Sequence, residues 1–143
     1  MGINACEFFL MFEDLSGAPV TTARVGRVFD LAARGAFLID RECTGTRCFA
    51  RLGFVKVDLV IGDDGLGEAD RLFAELAERV INIANWVQSI EIAEWEALRA
   101  DRLDVKLLVV PQIDQDQFEL DLPVELCRSL AHAGARLSII SND

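Results

Sequence analysis

Tyrosine is absent from this 143-residue chain, and histidine occurs once, at His132. Those scarcities exclude tyrosine and leave a single histidine for general acid–base chemistry, and no serine sits in a nucleophile motif. His132 lies late in an expected helix, two residues before Gly134, where an imidazolium favours the helix C-terminus. Long apolar runs are also missing, since none approaches the roughly 18–20 residues that span a bilayer. The first residues are not basic, and Glu7 and Glu13 interrupt the apolar stretch Ala5–Phe12, so no secretory leader is expected. There is no low-complexity tract, no Pro/Gly/Ser linker and no internal repeat. A single domain over residues 1–143 is the simplest organisation, long enough to bury a core without disulfides or metal.

Charge is present and unevenly placed. Residues 1–56 hold seven Lys/Arg against six Asp/Glu, whereas residues 57–143 hold seven against eighteen, giving the net −10 of the whole. Such a chain lacks the basic footprint that phosphate backbones require, and anionic membrane surfaces repel it. It suits a basic protein partner, whose approach an acidic field steers. With 52% hydrophobic residues the chain reads as ordered and globular. Its four cysteines, Cys6, Cys43, Cys48 and Cys127, are expected to be reduced thiols in a cytoplasmic protein.

Hydrophobic periodicity supplies the elements. In Ile3–Phe12, Phe8, Leu10 and Phe12 share one strand face and Phe9 and Met11 the other, the pattern of a strand near the sheet centre. A helix follows from Thr21 or Thr22 to Arg34, then a short strand at Ala36–Asp40. Glu42–Arg51 reads as a loop or hairpin end, and Leu52–Ile61 as an alternating strand. The longest helix is expected from about Leu66 to Asn85, with Ala69, Leu72, Phe73, Leu76, Val80 and Ile83 in one apolar stripe. Trp86–Ala100 fits either a second helix or, in part, a strand. A strand at Val105–Val110, another around Phe118–Leu122, a helix at Pro123–Ala133 stopped by Gly134, and a strand at Arg136–Ser141 complete the chain. The order predicts an α+β two-layer sandwich with a mainly antiparallel sheet, helices on one face and ferredoxin-like elements.

Chemical motifs are few. Cys43 and Cys48 form a Cys-x4-Cys element without the second ligand pair that zinc wants. Gly62-Asp-Asp-Gly-Leu-Gly67 lacks the Gly-Lys-Ser/Thr ending of a phosphate loop, and its aspartates repel phosphate. Asp114-Gln-Asp116 is acidic like a calcium loop but has no glycine at the sharp turn. No catalytic residue, metal ligand or cofactor is therefore expected. Glu91, Glu94 and Glu96 around Trp95 are different. They resemble a binding ridge, an aromatic anchor ringed by charge. These four residues, with Asp114 and Asp116, are the candidate partner-binding set for a basic protein, and a homodimer through a sheet edge is a further expectation.

Two resemblances bear on this reading. The C-terminal half, from Ala69–Leu76 through Glu96–Arg99 and Asp104–Val110 to Phe118–Leu126 and Leu130–Ile139, resembles a family of bacterial domains of unknown function. That likeness implies a compact α+β fold and no known catalytic residues. Asp14-Leu-Ser-Gly17 after a strand, then a segment ending Ala33-Arg-Gly-Ala-Phe-Leu-Ile39, looks like regulatory domains of the ACT kind. Such domains bind amino acids between paired sheets. The leading expectation is a non-enzymatic, acidic protein-binding domain, in its concrete form a bacterial immunity or antitoxin-like protein. The alternatives are an ACT-like ligand-binding regulatory domain and a purely structural domain.

Overall fold

A computed structural model describes residues 3–25, 40–56, 66–113 and 121–140. Its elements are β1 (Ile3–Asp14), β2 (Asp40–Thr44), β3 (Arg47–Lys56), α1 (Leu66–Ser89), α2 (Ile92–Ala100), β4 (Leu103–Ile113), α3 (Val124–Ala133) and β5 (Arg136–Ile139). Residues 22–25 add one helical turn. The sheet order is β2-β3-β1-β4-β5. β1 pairs antiparallel with β3 and β4, and β2 antiparallel with β3, so these four strands take the ferredoxin-like order. β5 joins parallel to β4, reached through α3. The result is an α+β sandwich.

The alternation in β1 decides the layering. Cys6, Phe8, Leu10 and Phe12 are buried and join one core with Cys48, Ala50 and Leu52 of β3 and Leu103, Val105, Leu107 and Val109 of β4. From α1, Leu76, Val80, Ile83, Ala84 and Val87 close that core, as do Trp95 and Leu98 of α2 and Leu126, Leu130 and Ala133 of α3. The three-to-four spacing of these residues puts one stripe of each helix on the sheet. The opposite sheet face is mixed, with half-buried Phe9, Phe49, Leu108 and Val110 beside charged residues. There Arg51 Nη2 lies 3.3 Å from Glu7 and Arg47 Nε lies 3.5 Å from Glu13.

Several expectations change. The ambiguous Trp86–Ala100 stretch is helical on both sides of a break at Ile90–Glu91: α1 runs on to Ser89, and α2 begins at Ile92. Glu42–Arg51 is the tight hairpin of β2 and β3. Gly45, at φ +59°, takes the first of its two loop positions, which a type II′ turn gives to glycine. The strand expected at Leu52–Ile61 starts earlier, at Arg47, because the hairpin brings that segment into register with β1. β4 reads as fully buried from composition but alternates, since one side faces the helices and the other does not. The side chains of Ala69, Leu72 and Phe73, most of the helix expected to Arg34, Ala36–Ile39, Val57–Ile61, Gly62–Gly65 and Phe118–Leu120 lie outside the described set, and Asp121 and Leu122, the described end of the strand expected at Phe118–Leu122, belong to no strand.

Candidate functional site

The candidate ridge sits where α1 turns into α2. Ser89 Oγ donates to the Trp86 carbonyl at 2.6 Å, and the Ile90 amide donates to the Val87 carbonyl at 3.3 Å, so α1 closes on itself. Glu91 occupies the N-cap of α2 in extended backbone (φ −60°, ψ 145°) but does not cap with its side chain. Its carboxylate is left to solvent at the positive end of the helix, where a negative charge is favoured. Glu96 is also exposed, and Glu94 is half-buried in the first turn.

Trp95 corrects the sequence reading. It is fully buried, so it is not a surface anchor. Its Nε1 donates to the Val87 carbonyl at 3.3 Å, and its ring meets Trp86 edge to face at 6.4 Å. A large aromatic with one polar atom is most stable where that atom finds a partner and the ring is packed, and the end of α1 offers both. The exposed apolar residue of this corner is instead Ile92, at 48% exposure, flanked by Glu91, Ala93 and Glu96. Asp114 and Asp116 lie outside the described residues, so the structure does not join them to the three glutamates. His132 reaches the same corner from α3, its Nε2 2.6 Å from the Ile90 carbonyl. That contact ties α3 to the α1–α2 turn.

Arginines share the helical layer with the acids. Glu75, Glu78, Glu91, Glu96 and Glu125 are exposed, and so are Arg99 and Arg128. Arg99 Nη1 donates to the Ala133 carbonyl at 2.6 Å, which anchors it over the end of α3.

A second polar cluster escaped the sequence reading. Asp14 is buried at the end of β1. Its Oδ1 accepts from the Ser16 amide (2.8 Å), the Ser16 hydroxyl (2.5 Å) and the Ala18 amide (3.1 Å), while Oδ2 pairs with Arg24 at 2.7 Å. Arg24 in turn donates to Asp101 Oδ2 (3.1 Å), the Asp101 carbonyl (3.0 Å) and the Pro19 carbonyl (2.8 Å). The Ser16 hydroxyl and the Arg24 guanidinium hold the Asp14 carboxyl well below the usual carboxylate range, and the pairing pushes Arg24 up. Asp-x-Ser-Gly is the turn chemistry that signals this arrangement in sequence. Every contact of the cluster is internal, so it staples the loop after β1 to the α2–β4 turn. It also spends the aspartate on which the ACT likeness rests.

Of the four cysteines, one thiol is buried, two are joined and one is exposed. Burial, with the nearby Glu7 charge adding to it, pushes Cys6 up to about 12. A thiol so raised is no nucleophile at neutral pH. Cys43 and Cys48 were expected to be reduced but are joined by a disulfide. They are direct partners in the β2–β3 ladder, with Cα atoms 3.9 Å apart, so the hairpin brings the sulfurs together. Cys127 is free and exposed on α3. Among the described residues no group of three or more His, Cys, Asp or Glu side chains is placed to hold a metal ion, and no helix is long and apolar enough to cross a membrane. No protein-family model matches the chain, and no curated protein or solved structure matches it.

Proposed function

We propose that this chain is a non-enzymatic, acidic protein-binding domain that masks a basic surface on its partner, as a bacterial immunity or antitoxin-like protein does. The observation that carries the reading is the α1–α2 corner. Glu91 and Glu96 are exposed there around Ile92, and Glu91 is not consumed as a cap. An apolar residue at the centre of a charged rim is the arrangement through which interfaces exclude water while charge selects the partner. In this reading the contact set is Glu91, Glu94 and Glu96 with Ile92 in place of Trp95; the setting is the cytoplasm, against which the Cys43–Cys48 disulfide counts.

The test is capture of partners from native lysate on immobilised protein at low and high salt, beside the triple variant Glu91→Lys, Glu94→Lys, Glu96→Lys. A partner held at low salt, released at high salt and lost with the charge reversal supports the reading. Equal capture by both proteins removes this surface from the function.

The ferredoxin-like strand order favours one second reading, the ACT-like regulatory domain. A thermal-shift screen against amino acids separates the two, because a ligand bound only by the folded state raises the midpoint. Silence across the screen counts against it.

A further inference from the structure

The sheet is closed by β2 at one end and by β5 at the other. β5 is short, and its apolar residues are uncovered. Leu137 is 38% exposed, Ile139 42% and Ile140 53%. Among the described residues no strand pairs with its outer edge. An edge of this kind offers a row of backbone donors and acceptors to another strand.

The register says which groups face outward. The Ile140 amide donates to the Val109 carbonyl at 2.9 Å, and Ile139 is the ladder partner of Val109. In a strand the N–H and C=O of one residue point to the same side, and that side alternates along the chain. Residues 136, 138 and 140 therefore turn their backbone groups to β4, while Leu137 and Ile139 turn theirs outward. Leu137 and Ile139 are ladder partners of the buried Leu107 and Val109, so their side chains lie on the helix-covered face.

We infer that β5 is a self-complementary edge on which a second copy of this chain pairs, antiparallel, about a two-fold axis at Ser138. With the axis there, Leu137 of each protomer faces Ile139 of the other. Among the described residues nothing takes the outward backbone groups of either, so the two strands can exchange four hydrogen bonds in two hydrogen-bonded pairs. The same register sets leucine against isoleucine on the helix face and serine against serine, without a clash, on the other. The contact is isologous, and the five described strands of each copy run on into one sheet.

Charge argues for a second copy at this edge. Residues 136–140 contain no acidic side chain in a chain of net charge −10. The one charge present, Arg136, is paired with Asp104 of its own protomer. The seam thus brings no acidic groups of β5 face to face, and charges beyond about 8 Å are largely screened at physiological salt. This inference stands apart from the acidic-corner reading, because the residues differ and either can fail alone.

Sedimentation of the purified chain and oxidative cross-linking test it. The wild type sediments at twice the chain mass. Ile139→Pro removes an outward N–H and leaves the bonds to β4 in place, as proline is tolerated on a strand edge. It sediments as a monomer with an unchanged far-UV spectrum. Where that variant does not fold, Leu137→Lys, an exposed substitution that sets charge in the seam, gives the same monomer. In a Cys127→Ser background, Ser138→Cys sits on the axis as a close, non-hydrogen-bonded pair and forms a covalent dimer under mild oxidation, whereas Leu137→Cys does not. A wild type that stays monomeric as concentration rises overturns the inference, and so does equal cross-linking of the two cysteine variants. An edge that instead takes a strand from a different protein gives that monomeric wild type.

Discussion

Replacing Gly134 with alanine gives the sharpest physical test of this fold. Gly134 follows α3 with φ +64° and ψ 31°, and its amide donates to the Ala131 carbonyl at 3.2 Å while the Ala135 amide reaches back to the Leu130 carbonyl at 2.9 Å. Those two bonds make a Schellman cap, which needs a left-handed residue. An L-residue there costs about 1–2 kcal/mol. A second cost comes from the neighbour. A Cβ on Gly134 falls 1.5 Å from Arg99 Nη1 and 2.5 Å from its Cζ, so the guanidinium must leave. It then loses its hydrogen bond to the Ala133 carbonyl, worth about 1 kcal/mol net. Gly134→Ala should therefore destabilise by about 2–3 kcal/mol, near 5–10 °C in Tm for a chain of this size. Gly45 is the control, since it has φ +59° with nothing within 4 Å of its Cβ position. Gly45→Ala should cost only a backbone component, about 1–3 kcal/mol at a position that a type II′ turn reserves for glycine, and that cost should be the same with or without Arg99. Urea unfolding of Gly134→Ala, Arg99→Ala and the double variant isolates the clash. In the Arg99→Ala background the cost of Gly134→Ala should fall by about 1 kcal/mol, the coupling between the two sites. Equal costs of Gly134→Ala in both backgrounds refute the reasoning.

Other consequences follow from the same structure. Breaking the Cys43–Cys48 bridge by the double substitution to serine should cost about 2 kcal/mol from the entropy of a five-residue closure, and non-reducing peptide mapping of freshly trapped protein reports whether the bridge exists in cells. Asp14 is depressed in the folded state, so its contribution is complete above the ordinary carboxylate range and is lost as pH falls through the lowered value. Asp14→Asn should therefore lower Tm at pH 7, and the difference from wild type should shrink below about pH 4 in an acid titration followed by circular dichroism. Cys6 is raised, so the opposite sign holds: stability is unaffected at neutral pH and falls as pH rises from about 9 towards about 12. A thiol reagent at pH 8 should modify Cys127 quickly and Cys6 only on unfolding.

Local pattern made much of the fold legible. The alternation of Phe8, Leu10 and Phe12 identified the core face of the central strand, and the stripe through Leu76, Val80 and Ile83 identified the inward side of α1. Gly134 marked the end of α3 because few other residues accept its conformation. The hairpin at Gly45 was less legible, because Cys43-Thr-Gly-Thr-Arg-Cys48 is short and not strongly apolar. Its two strands exist because β3 finds β1, a pairing remote in sequence. The same limit governed the candidate site. Trp95 among glutamates carries one composition whether it faces water or the core, and the packing of α2 on β4, with an acceptor at Val87, decides between them.

Taken alone, the amino-acid order determined the central strand, the long helix and the last helix, the α+β class, the inward residues Leu76, Val80 and Ile83 and the acidic balance, because periodicity and charge are properties of neighbours along the chain. Tertiary structure decided what distance in sequence hides. It joined Asp14 to Arg24 and Asp101, placed Cys43 against Cys48, turned Trp95 inward and left Ile92 outside, and put β5 parallel to β4 at the end of the described sheet. Each of those outcomes depends on which segments become neighbours in space, and that choice is made by burying the core as a whole rather than by any local preference.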